Sequence, residues 1–228
     1  LATGLAFGKM GARVWLTHRW GSADEDEIRA AFAAAGAPEP RMVCADVSHD
    51  EDTDDLLAEI QREHDRIEAY FAQVIHSTDD YSFRGLSSSI QATAWPLIGY
   101  SRRIHEVFGS WPRYIVGLSS GGPDRLYANY DFVAASKATL ESLARYLNHR
   151  LFDEDSRVNV VRARPVRTES LDATLGEEYV PFAEKFDGPG MFVEHEDVAG
   201  AVVALCSGYM DAVRGQVLNI DRGGDFAD

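Results

Sequence analysis

RYIVGLSSGGPDRLYANYDFVAASKATLESLARYLNHRLFDEDSRVNVVRA, residues 113–163, reads as strand, helix, strand. The flanking runs, RYIVGLSS (113–120) and RVNVVRA (157–163), are short, with apolar residues on both faces. A strand with one face in water alternates apolar and polar residues. A strand apolar on both faces belongs to a parallel sheet covered by helices on both sides. Two parallel strands need a crossover of a dozen or more residues, and residues 127–151 supply it as a long helix.

The same alternation extends outward. RVWLTH (13–18), RMVCADV (41–47) and IEAYFAQVI (67–75) are strands by the same criterion, and QVLNID (216–221) is the last. Helices are expected between them. One ends at Gly11, and one opens at Ser22, with Glu25 completing a capping box and Gly36 beyond its end. A third runs from Ser48, boxed with Glu51, to about His64, and others cover 86–108 and 196–207. The expected architecture is α/β: one doubly wound domain over 1–228 with a three-layer α/β/α arrangement. Its ligand lies at the carboxyl ends of the strands, under loops at 74–86 and 168–195. The first segment, LATGLAFGKMGA, is already helical in pattern, so the first strand and its loop are expected to precede Leu1.

Composition narrows the partners. The 228 residues carry 22 basic and 37 acidic side chains, a formal charge of −15. Such a surface repels nucleic acid phosphates and anionic membranes, so neither is an expected partner. Cys44 and Cys206 sit in apolar runs and read as buried thiols of a cytoplasmic protein, not as a disulfide. No apolar run approaches a membrane span, and the seven His show no metal-ligand spacing, so no metal is expected. The acidic run 24–27 reads as first-turn helix charge. Ser87, Ser88 and Ser89 read as a helix cap, because no GxSxG context surrounds them.

Several segments, in order, resemble the short-chain dehydrogenase/reductase family: GLAFGKMGARVWLTHR (4–19), ADV (45–47), LSS (118–120), SKATLESLARYL (136–147), VNVV (158–161) with VRTES (166–170), and RGQVLNIDRGG (214–224). The resemblance covers nearly the whole chain. It implies a nicotinamide cofactor across the carboxyl edge of the sheet and a symmetric homodimer or homotetramer built on the helices at 86–108 and 127–151. The family's glycine-rich phosphate loop is expected upstream of Leu1.

On the matching positions, the resemblance assigns Ser120 as an oxyanion donor and Lys137 as the holder of the ribose hydroxyls, its charge lowering a nearby phenol. The usual tyrosine position, four residues before the lysine, holds Val133, which has no proton to give. Tyr130 stands seven before Lys137, and this Tyr-x6-Lys spacing is similar to that of enoyl-thioester reductases within the family. Cofactor contacts are expected from His18, Arg19, Asp46, Val47, Lys137, Val166 and Thr168. Arg19 stands near the end of the second strand of the fold, where an acidic residue would repel a 2′-phosphate, so NADPH is expected over NADH. The chain departs from the family at AQV (72–74), Gln91 and Ala163-Arg164. With Ser120 retained and aromatic residues in the loops, these departures favour an atypical ketoreductase acting on a bulky, polyketide-type ketone in an antibiotic pathway. The alternatives are reduction of an enoyl thioester and a non-catalytic cofactor-binding protein.

Overall fold

A computed structural model of the chain describes residues 1–18, 24–46, 49–72, 81–127, 129–166, 181, 185 and 192–223. The elements run α1 (Ala2–Lys9), β1 (Trp15–His18), α2 (Glu25–Ala34), β2 (Arg41–Cys44), α3 (Asp50–Glu63), β3 (Ala69–Ala72), α4 (Phe83–Thr93), α5 (Trp95–Phe108), β4 (Tyr114–Ser120), α6 (Asp131–Arg150), β5 (Arg157–Ala163), α7 (His195–Leu205) and β6 (Val217–Ile220). Every strand pairing is parallel. The strands form a four-stranded sheet in the order β3-β4-β5-β6 and a two-stranded sheet of β1 and β2. No strand among the described residues joins the two. No helix among them is long and apolar enough to cross a membrane.

The period-2 geometry of a strand decides what each residue of β4 and β5 touches. Ile115, Val158 and Val160 face one way and pack on Leu97 of α5 and on Leu140, Ala144 and Leu147 of α6. Val116, Val161 and Ala163 face the other way and meet Val198, Val202 and Leu205 of α7. Each such side chain taken fully from water contributes roughly 1.5–3 kcal/mol. A third cluster, Leu56, Leu57 and Ile60 of α3 with Tyr100 and Ile104 of α5, packs on Trp15, Val43 and Tyr70, so one helical layer underlies both sheets. At the other layer α1 lies close on α2, because a Cβ on Gly8 would stand 2.8 Å from the Phe32 ring.

Several boundaries differ from the sequence reading. The segment 86–108 is two helices, not one, since Pro96 in the first turn of α5 favours a fresh start there. Asp24 caps α2, its carboxylate accepting from the Asp26 and Glu27 backbone N–H groups; Ser22 lies outside the described residues. His49 precedes α3 without a side-chain cap bond, and Ser48 is likewise outside them. The cap of α4 is Ser82, which places Ser87, Ser88 and Ser89 inside the helix and residues 82–86 in its cap and first turn. Cys44, read as buried, is exposed at the end of β2. Cys206 is partly buried, and desolvation pushes its thiol up to about 12.

Candidate active site

β4, β5 and β6 run parallel, so their carboxyl ends share one edge. β4 delivers Ser120 there as its last residue, and the chain turns at once through Gly121 and Gly122. The second glycine is required by packing: a Cβ on it would lie 2.8 Å from the Tyr130 ring and 2.9 Å from Ala134. Tyr130 is thereby laid against the turn, and its hydroxyl donates to Ser120 Oγ at 3.1 Å. The Gly122 N–H also points to that oxygen, at 3.4 Å.

The helix carrying Lys137 begins one residue later than the tyrosine. Tyr130 is the N-cap of α6, not a residue of its interior as the expected helix over 127–151 would make it, and its carbonyl accepts from the Ala134 N–H at 2.7 Å. Asn129, at φ 56, makes the turn that ends the expected helix short of 127. Because an N-cap carbonyl already belongs to the helical bonding pattern, the Tyr-x6-Lys spacing still brings both residues to one end of the helix. Lys137 is 1% exposed, and its Nζ donates to the Leu118 carbonyl at 2.7 Å. Desolvation lowers its pKa to about 8, with Glu141 acting in the opposite sense. Burial raises the Tyr130 phenol above its ordinary value, and the Ser120 hydrogen bond draws it back. Ser120 and Tyr130 are therefore bonded to each other, and Lys137 is bonded to β4 two residues before Ser120.

Strand parity explains what lies behind them. Ser119 and Arg162 occupy the positions of β4 and β5 that face α6, and both reach Glu141, one turn beyond Lys137. The Ser119 hydroxyl donates to Glu141 Oε1 at 2.6 Å. Arg162 grips the same carboxylate with two N–H groups, Nε to Oε1 at 2.9 Å and Nη2 to Oε2 at 2.6 Å, and pairs with Asp124 through Nη1. The sequence reading missed all three, which meet only in the tertiary structure. Beside Ser120 opens a small cavity of about 20 Å³ lined by Gly121, Tyr127, Arg162, Arg164, Asn219 and Asp221. Arg164 is buried, where the family pattern has a glycine.

The residues read as cofactor contacts are dispersed along the same edges. His18 ends β1, its Nε2 3.1 Å from Glu25. Asp46 follows β2, its backbone N–H donating to the Asp52 carboxylate at 2.8 Å. Val166 follows β5 and is fixed by a parallel bridge to Val193. Arg19, Val47 and Thr168, residues 74–80 and most of 168–195 lie outside the described residues. Gln91 is exposed on α4.

A protein family described as enoyl-(acyl carrier protein) reductase matches residues 1–224. The enoyl-(acyl-carrier-protein) reductase (NADH) of Aquifex aeolicus is 26% identical over 234 residues, covering 98% of this chain and 86% of that one. Among solved structures, the Bacillus cereus enoyl-acyl carrier protein reductase with NADP+ and indole naphthyridinone superposes with a TM-score of 0.83 at 22% identity, covering 97% of this chain and 89% of that one. A 7 alpha-hydroxysteroid dehydrogenase, complexed with NADH and a 7-oxo bile acid, superposes with 0.86 at 17%, covering 98% and 88%. Enoyl reduction and ketone chemistry thus share this fold, which therefore does not choose between them. The sequence relatives do choose, and they overturn the expectation of a polyketide-type ketone and an antibiotic pathway. That expectation leaned on Ser120 as a carbonyl partner, whereas the structure binds its oxygen to the Tyr130 hydroxyl.

Proposed function

The chain belongs to the short-chain dehydrogenase/reductase family, in the group described as enoyl-(acyl carrier protein) reductase, and from that premise we propose that it reduces the carbon–carbon double bond of an enoyl thioester. The observation that carries the reading is Tyr130 at the cap of α6, seven residues before a buried Lys137, with its hydroxyl already aimed at a hydrogen-bond acceptor.

The residues at the carboxyl edge fit a nicotinamide cofactor. His18 and Asp46 stand at the ends of β1 and β2, Ser120 ends β4, and Val166 is held in place just past β5. When bound, the cofactor supplies a hydride to the β-carbon of the thioester. The chain's own residues manage the charge that results. A thioester oxygen arriving beside Tyr130 replaces Ser120 Oγ as acceptor and receives the phenolic hydrogen bond as it becomes an enolate oxygen. Lys137, protonated, holds the ribose hydroxyls and places a positive charge behind the phenol, which stabilises the transition state electrostatically. Ser120 keeps Tyr130 oriented before the oxygen arrives.

We infer NADPH as the preferred reductant, from Arg19 directly after β1 in place of an acidic residue. The Aquifex relative is named for NADH and the Bacillus structure holds NADP+, so titration of both cofactors decides the preference. A homodimer or homotetramer is also proposed. Trp95 of α5 is 48% exposed and Tyr146 of α6 is 67% exposed, and buried rings of this kind are common in subunit interfaces. The acidic surface and the absence of an expected disulfide suit a cytoplasmic enzyme. The deciding assay follows consumption of reduced cofactor with a crotonyl thioester, a β-keto thioester and a quinone. Turnover is expected with the crotonyl substrate; turnover confined to the carbonyl substrates would falsify the reading.

A further inference from the structure

From Lys137 onward the charges alternate in sign from one residue to the next. Lys137 is followed by Glu141 on the next turn of α6, then by Arg162 on β5, then by Asp124 in the loop after β4. The ammonium and the first carboxylate are both buried, at 1% and 4% exposure, so neither has water to steady its charge. In such a place burial favours the neutral amine, and a nearby carboxylate favours the charged one. The nearby carboxylate is not Lys137's alone. Both oxygens of Glu141 are held by the planar fork of Arg162, and one also accepts from Ser119, whereas Lys137 Nζ is bonded to the Leu118 carbonyl.

We propose that Arg162 and Glu141 are positioning residues that together set how tightly Lys137 holds its proton, Glu141 favouring the charged lysine and Arg162 opposing it. Arg162 acts twice in the same sense. It neutralises the carboxylate that would steady the ammonium, and it adds a like charge on the facing strand. Burial lowers the lysine pKa, and the Glu141 carboxylate acts against that lowering.

Among the other charged groups on elements packed against α6, Arg157 of β5 pairs with Asp155 and Asp211. Arg103 of α5 is tied to Asp54 of α3, and Arg102 to Glu106 on its own helix. His105 of α5 stacks on Trp111, and Arg84 stands in the first turn of α4. Beside the cap of α6 stand Tyr127, against the Tyr130 ring, and Arg125, which lines the neighbouring cavity with Asp124. None of these is bonded to Glu141, so the Arg162 fork and Ser119 are its described partners.

The proposal concerns the lysine that the enoyl-reductase reading uses, but its test does not depend on that reading. Lys9, Lys137 and Lys185 are the chain's only lysines, so protein labelled with ¹³C at lysine Cε gives a spectrum of three side chains, and the Lys137→Arg variant assigns the resonance. The pH titration of that resonance is then read in wild type, Glu141→Gln and Arg162→Met, with the folded state checked by circular dichroism. Removing the carboxylate is expected to lower the midpoint by about one pH unit or more, and removing the guanidinium to raise it, as befits loss of an opposite and of a like charge. If the methionine variant fails to fold, Arg162→Gln keeps a polar side chain at the strand end and carries the same expectation. Midpoints that stay within a few tenths of wild type in both variants, or that move in the same direction, overturn the proposal. The alkaline limb of crotonyl thioester reduction should follow the same two shifts. Opposite shifts in the resonance without crotonyl turnover would leave this inference standing and remove the enoyl reading instead.

Discussion

In the four-stranded sheet β4 and β5 pair over seven residues, and Ile115, Val158, Val160 and Val161 are wholly buried. In the two-stranded sheet β1 and β2 pair over four, and no residue of either strand is fully buried. The chemistry is divided in the same way. The first region carries the proposed site residues Ser120, Tyr130 and Lys137, the last of them buried one helical turn before the Glu141 that Arg162 grips. The second carries His18 and Asp46, read as cofactor contacts, the ring of one 3.1 Å from Glu25 and the backbone of the other bonded to Asp52. The contrast is physical: a group that must hold a charge or a proton at one point needs a rigid, dry surround. A group that grips a solvated phosphate works through charge, which tolerates water and reach.

The largest effects should come from the buried region. Lys137→Met is expected to reduce crotonyl thioester turnover by ~10³-fold or more, since it removes both a cofactor contact and the charge behind Tyr130. The same substitution should stabilise the fold. The folded-state pKa of Lys137 is depressed from 10.5 to about 8, so between those values the unfolded chain binds more protons than the folded one. Stability from this group therefore rises as pH climbs through that window, while activity, which needs the protonated form, falls. Methionine removes the buried charge and should add stability on the order of 1–3 kcal/mol at neutral pH. A variant that is both inactive and less stable would place Lys137 among ordinary structural ion pairs and break the comparison.

Tyr130→Phe comes next. Loss of its hydroxyl should lower kcat by ~10²–10⁴-fold with little change in cofactor affinity. Ser120→Ala, which removes only the acceptor that orients the phenol, should cost about tenfold, or ~1.4 kcal/mol. Steady-state kinetics on the two variants, with cofactor fluorescence for binding, separates the roles. A larger loss at Ser120 than at Tyr130 would mean that the serine, not the phenol, meets the developing oxyanion.

The same contrast explains what could be read from residues alone. β5 and the α6 segment around Lys137 are legible because a buried strand and a long crossover helix leave strong periodic signals. The start of α6 is not legible from that signal, because YANY (127–130) has helical-looking spacing while Asn129 takes a left-handed turn that periodicity does not register. The break before Pro96 had a readable cause, which the apolar run across it obscured. Glu141 and Arg162 lie far apart in sequence and meet only because strand parity turns Arg162 toward α6, a tertiary fact with no local pattern. The caps are legible in kind but not in position, since acidic and hydroxyl residues crowd the start of α2. Cys44 misled because an apolar run that ends in a two-stranded sheet leaves its last residue exposed.

The difference in core quality is itself measurable. Leu140 is 1% exposed between α6 and β4, and its Cδ2 lies 2.9 Å from where a Gly117 Cβ would stand. Leu140→Ala should cost ~2–5 kcal/mol in denaturant unfolding, the range for a truncated, well-packed leucine. Leu16 of β1 is only partly buried, so Leu16→Ala should cost less than about half as much. Equal losses would show that the two sheets share one core of uniform density.

The effect confined to one cofactor, and the one that sharpens the comparison most, belongs to Arg19. It follows His18, whose ring is engaged by Glu25, itself 40% exposed and shared with Arg29. A 2′-phosphate brought to the end of β1 would meet a carboxylate already paired with Arg29, so the charge proposed to recognise it comes from the next residue along the chain. If Arg19 supplies it, Arg19→Ala should weaken NADPH binding by about 1.5–3 kcal/mol, the worth of a charge-assisted contact, and leave NADH nearly unchanged. Raising the ionic strength should narrow the difference between the two cofactors in the wild type, because a contact near water is screened. In the alanine variant salt should have no such effect on their ratio. A loss shared equally by both cofactors would make Arg19 a support for the loop rather than a phosphate ligand. The NADPH preference would then have no residue at the end of β1 to carry it, even with the buried region working as described.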